Sequence, residues 1–189
     1  MRTLIKRLAI LFIILMPIYI VYFAKPLRLL LPAINDVYCS GNICVEERAQ
    51  LKNAQNLYHS AVKGLSRLGL SATSKAVFVY CSTPGCYSSF GGGNEGAISF
   101  PYLGTIIGPD SWQVYISKHE LIHWLQFKHY GAVGTMRKPK WFREGMAYSL
   151  SQPPQDDIPQ HYLPLIKRYE IWQGDKSGGE VFHSSETSF

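Results

Sequence analysis

"KHELIHWLQFKH", residues 118–129, places three histidines and one glutamate within twelve positions. On an α-helix His119 and His123 stand one turn apart and differ by about 40° in azimuth. Both imidazoles then project from one face and reach one zinc ion at about 2.0–2.1 Å from each nitrogen. Glu120 falls beside that face, where a carboxylate reaches a water at the ion without displacing it. In the H-E-x-x-H pattern this glutamate is the general base. With six histidines and eight glutamates in 189 residues, composition alone predicts about 0.01 occurrences. The surrounding positions Val114, Ile116, Leu121, Ile122, Trp124 and Leu125 are apolar, as a helix buried in a core requires. The plainer account is a pair of surface histidines satisfied by their neighbours.

Two histidines do not complete a catalytic zinc site, which takes a third protein ligand and keeps one open position. His129 stands six residues after His123, where metzincins place their third histidine. Those proteins turn the chain with a glycine three residues after the second histidine; here that position is Gln126, a good helix former. A continuing helix carries His129 about 15 Å along the axis from His119 and points it elsewhere.

The other candidate is Glu144, in "WFREGMAYSL" at residues 141–150. HELIH, an intervening stretch of 20 residues, and P-x-W-F-x-E-G-x-A-Y together resemble the gluzincin metallopeptidases. The resemblance covers residues 111–151. It implies that His119, His123 and Glu144 are the ligands of one zinc per chain and that Glu120 is the catalytic base. On size alone, small Gly145 and Ala147 let the second helix approach the first, with Trp141 wedged against it. The chain departs from the larger families in having no recognisable second subdomain. No downstream side chain matches the usual oxyanion donor: Tyr148, His161, Tyr162, Tyr169 and His183 are all available. Tyr148, one turn after Glu144, is preferred as a residue supporting the ligands or donating to the oxyanion.

The net charge of +6 is local. Arg2, Lys6, Arg7, Lys25 and Arg28 supply five positive charges within the first thirty residues, and the remainder is nearly neutral. A concentrated basic face is missing, which argues against nucleic acid as a partner. Between Arg7 and Lys25 lie 17 uncharged, mostly apolar residues, near the lower limit for a membrane-spanning helix. Tyr22 makes Ala24 a poor signal-cleavage site, so the segment reads as an uncleaved anchor in contact with the lipid bilayer. The preceding positive charges put the N-terminus in the cytoplasm and the rest outside. Four cysteines in two pairs of x4 spacing, Cys39/Cys44 and Cys81/Cys86, fit local disulfides in an oxidising compartment.

Along the chain, residues 45–69 show helical periodicity, "KAVFVYCS" (75–82) reads as a strand, and "AISF" and "GTIIG" read as two short strands around Pro101–Leu103. "SSFGGGNEGAISF" supplies a flexible glycine loop with a possible role as a flap, not a phosphate cradle. Helices follow at 111–129, after Pro139 until before Pro153, and over "PLIKRYEIWQ". The expected fold is α+β: a compact zincin-like domain with a small sheet packed on the HExxH helix, preceded by one transmembrane helix. Its parts are a membrane anchor (1–30), a metallopeptidase domain (31–175) and a mobile tail (176–189). The expected activity is zinc-dependent hydrolysis of a peptide or protein substrate. The rival is a membrane-anchored binding or assembly protein that keeps the fold and metal without turnover.

Overall fold

Short apolar runs, buried along their length in the central strands, build the centre of the protein. In the computed structural model, which describes residues 12, 16, 24–71, 76–177 and 180–182, they form one five-stranded sheet. The strands are β1 (Tyr38–Ser40), β2 (Ile43–Val45), β3 (Val77–Tyr80), β4 (Ala97–Phe100) and β5 (Gly104–Ile107), in the order β1-β2-β3-β5-β4. β2, β3 and β5 run parallel, while β1 and β4 pair antiparallel at the two ends. Along β3, Phe78 and Tyr80 join one buried cluster and Val79 the other, the two-residue period of a strand covered on both faces.

One face is covered by α1 (Leu51–Ser66), α3 (Val114–Arg137), α4 (Lys140–Ser151) and α5 (Leu163–Gln173); short α2 (Pro84–Ser89) lies on the other side with Leu29, Val37 and Phe90. α1 buries Ala54, Tyr58, Ala61 and Leu65, a stripe at helical spacing. α3 is interrupted at Gly131, where φ 70° and ψ 168° break the helix two residues past the expected end at His129, and it then resumes to Arg137. α4 begins after Pro139, which cannot donate a backbone N–H, and ends at Gln152 in the left-handed region before Pro153. Within the stretch read as a tail, Val181 and Phe182 lie buried against the core.

Three local features shape the cysteine turns and the glycine loop. The "CSGNIC" turn is a hairpin: Cys39 and Cys44 stand directly opposite one another in β1 and β2, and positive-φ Gly41 turns the chain. "TPGCYSS" is the N-cap and the whole of α2, with Pro84 in its first turn and Thr83 Oγ1 accepting from Cys86 N at 3.1 Å. Gly92 belongs to the glycine loop because of packing: a Cβ there would overlap the Tyr87 ring.

The disulfides are Cys39–Cys44 and Cys81–Cys86, and no described cysteine is free. Two such bonds indicate an oxidising, extracytoplasmic environment. The transmembrane part of the expected fold is corrected: no helix among the described residues is long and apolar enough to cross a membrane. The longest, α3, has 24 residues but carries Lys118, Glu120, Lys128 and Arg137, charges that a bilayer core disfavours. From Lys25 the chain enters a short 3-10 helix with Pro26 in its first turn. The apolar stretch 8–24 lies outside the described residues except for Phe12, Met16 and Ala24.

Candidate metal centre

Helical spacing brings His119 and His123 together as expected, with Nε2 atoms 3.1 Å apart. Glu144 enters from α4 and places Oε2 3.7 Å from His119 Nε2 and 3.5 Å from His123 Nε2. Three ligands at about 2.0–2.1 Å from a tetrahedral ion stand about 3.3–3.4 Å from one another. The observed triangle is close to that size, and its two nitrogens and one carboxylate oxygen suit a metal. His119, His123 and Glu144 thus form a group that could hold a metal ion. His129 does not belong to it. Its ring packs against Tyr130 and Phe182 instead, because the helix continues through Gln126 as its sequence suggests.

The triangle is held by a residue that the sequence reading treated only as a helix former. Gln126 is fully buried. Its Oε1 lies 3.0 Å from His123 Nδ1, and its Nε2 donates to the Arg143 carbonyl at 3.0 Å. An amide oxygen only accepts, so the neutral form of His123 keeps its proton on Nδ1 and presents the Nε2 lone pair to a ligand. The same amide ties α3 to the residue just before Glu144. Thr135 Oγ1 in turn donates to the Gln126 carbonyl at 3.0 Å. Gln126 is three residues after His123, on the same helix face. That spacing was the available signal.

Gly145 faces a different neighbour from the one expected. A Cβ there would lie 2.5 Å from the Leu165 carbonyl oxygen and 2.7 Å from Tyr169 Cβ. The glycine therefore lets α4 approach α5, not α3. Trp141 likewise packs on Trp172 and under the Arg168 guanidinium. Ala147 is fully buried in the core shared with α3.

Burial alone would lower the His123 pKa, but its bond to Glu144 and that carboxylate's charge outweigh it and raise it to about 9. Burial would raise Glu144, yet the bonds to His119 and His123 hold its carboxyl below the usual carboxylate range. Glu120 is 4% exposed, and its Oε2 is buried without a hydrogen-bond partner. An unpaired buried carboxylate oxygen is costly.

These groups face a cleft of about 560 Å³. Ala97, Ile98 and Ser99 of β4 form one wall, and the outer edge of β4 pairs with no other described strand. Ser99 Oγ donates to the Glu120 carbonyl at 3.0 Å, fixing the strand to the helix. Tyr148 lies against His119, ring centroids 4.6 Å apart, and against Tyr162 at 4.6 Å. Burial, then the charges of Tyr162 and Glu144, push the Tyr148 phenol well above its ordinary range, so it keeps its proton. Tyr115, unremarked in the sequence, donates to Asp157 Oδ2 at 2.9 Å; burial and that bond push it up to about 12. Tyr169 is buried among Phe142 and Trp172, away from the cleft. His161 is exposed beside Tyr162, and His183 lies outside the described residues.

No protein-family model matches the chain, and neither a curated protein nor a solved structure does.

Proposed function

We propose that the chain is a gluzincin-like, zinc-dependent metallopeptidase acting on a peptide or protein outside the cytoplasm. The observation that carries this reading is the His119–His123–Glu144 triangle in an open cleft, with Glu120 beside it and its Oε2 without a hydrogen-bond partner. When bound, zinc supplies Lewis-acid polarisation of a carbonyl and lowers the pKa of water. The chain's own residues do the rest. His119, His123 and Glu144 hold the ion, and Gln126 keeps the His123 ring in the tautomer and orientation that binding needs. Glu120 accepts the proton of the attacking water as the C–O bond forms. It then delivers that proton to the amine nitrogen as the C–N bond breaks. Tyr148, protonated and at the cleft wall, is a donor for the developing oxyanion. The unpaired edge of β4 offers backbone groups to an extended substrate.

The deciding experiment compares wild type with Glu120→Gln on a defined peptide mixture, with zinc content measured in both. The expected result is cleavage by wild type, its loss in the variant, and equal zinc. Equal cleavage by both would refute Glu120 as the base, and a wild-type domain that takes up no zinc would sink the reading altogether.

A further inference from the structure

The charged groups of the cleft differ in how they are satisfied: Glu120, read above as the base, keeps one oxygen without a partner, while the other acids are met from within the chain. Glu95 accepts a hydrogen bond from Gly93 N at 3.1 Å, and Asp157 accepts from Tyr115. Glu144 lies against the two histidines. Arg143 has no such partner. It lines the same cleft, its Nε is buried without a hydrogen-bond partner, and no salt bridge joins it to an acid among the described residues. Its backbone is fixed, because its carbonyl accepts from Gln126 Nε2. It is next to Glu144 in sequence, and Phe127, one turn beyond His123, lines the same cleft. A guanidinium held there with a desolvated N–H is costly unless an anion arrives to meet it.

We propose that Arg143 recognises a carboxylate of the bound peptide, either its free C-terminus or an acidic side chain. This deepens the peptidase reading and rests on it for the choice of peptide as ligand. The planar fork of an arginine matches a carboxylate with two parallel hydrogen bonds, which a lysine cannot reproduce. Of the charged groups in the cleft, this is the cation without an internal counterpart. It therefore favours substrates that present a negative group on the Arg143 side of the metal triangle.

The test is binding to the full-length, zinc-loaded Glu120→Gln protein, immobilised and offered one random peptide mixture in three forms. These are the unmodified mixture, a C-terminally amidated one, and one methyl-esterified at every carboxylate. Esterification should reduce retention roughly tenfold to a hundredfold, the size of a lost charge-assisted bond. Adding Arg143→Gln should abolish the difference between unmodified and esterified peptides. Arg143→Lys, which retains charge without the fork, should keep only part of it, with zinc content and melting midpoint confirming that both variants fold. Retention of the amidated mixture assigns the side-chain carboxylate; its loss assigns the C-terminus. Equal retention of esterified and unmodified peptides, or carboxylate dependence that survives Arg143→Gln, overturns the proposal, as does a zinc-loaded protein that retains no peptide. Turnover by wild type is scored separately. Carboxylate dependence without turnover defeats the peptidase reading alone, while turnover without carboxylate dependence defeats the assignment of Arg143 alone.

Discussion

Two glutamates on opposite sides of the sheet are treated in opposite ways. Glu46 follows β2 and accepts three hydrogen bonds, from Ser82 N, Thr83 N and Thr83 Oγ1, at 2.7–2.8 Å. It ties the end of β2 to the turn that opens α2, beside the Cys81–Cys86 bond. Glu120 is more deeply buried, yet one of its oxygens has no partner. A carboxylate that serves the fold has its acceptors filled by the chain. One that serves a ligand is left with capacity to spare, at a cost the surrounding packing must cover.

Removing Glu144 tests the cleft side of this contrast most severely. Glu144→Ala should weaken zinc binding by more than the roughly 10–100-fold expected of an outer partner, as measured by competition with a chelator. His129→Ala should keep zinc, and the reverse pattern would mean that the wrong third ligand has been chosen. Glu120→Gln should cut turnover by about 10²–10⁴ while leaving thermal stability unchanged or higher, since a buried charge is neutralised. A marked loss of stability would show Glu120 to be structural like Glu46, and would break the comparison.

Gln126→Ala should weaken zinc affinity by about 10–100-fold and also lower stability, because both His123 Nδ1 and the Arg143 carbonyl lose their partner. If zinc affinity is untouched, the amide is not what holds the triangle. Glu46→Ala should have the smaller effect, about 1–3 kcal/mol in denaturant unfolding, with zinc content and turnover retained. Any loss of zinc there would show that the two sides of the sheet are coupled.

A last test uses pH on the metal-free protein. The raised His123 pKa contributes stability that is complete below its ordinary 6.5 and lost as pH rises through about 9. The depressed Glu144 pKa contributes above its ordinary 4.5 and is lost as pH falls through its lower folded value. The contribution of the pair is therefore greatest between pH 4.5 and 6.5. Zinc competes with the proton on His123, so loading should move the optimum of the melting midpoint upward. A metal-free melting midpoint that keeps rising from pH 6.5 to 9 would contradict the observed ion pair.

What could be read directly in the chain was local. His119 and His123 share a face because four residues make slightly more than one helical turn, and Gln126 keeps the helix going past them. Paired cysteines five apart in number, the β-branched run before Cys81 and the prolines bounding α4 are likewise signals that neighbouring residues carry in themselves. Glu144 was found through its resemblance to a family motif, since no periodicity links it to a histidine 21 positions away.

The tertiary structure decided everything that depends on which surfaces meet. Gly145 looks the same in sequence whether it faces α3 or α5; only the packed helices reveal the Leu165 carbonyl against it. β4 is an edge strand because β5, later in the chain, inserts beside β3. Gln126 becomes a brace only when α4 folds back and offers the Arg143 carbonyl. Arg143 stands out for the same reason: that its Nε lacks a partner shows only once the chain has folded around it. Helical periodicity is fixed by bonds between near neighbours, whereas burial and hydrogen-bond satisfaction are settled between residues that the sequence keeps far apart.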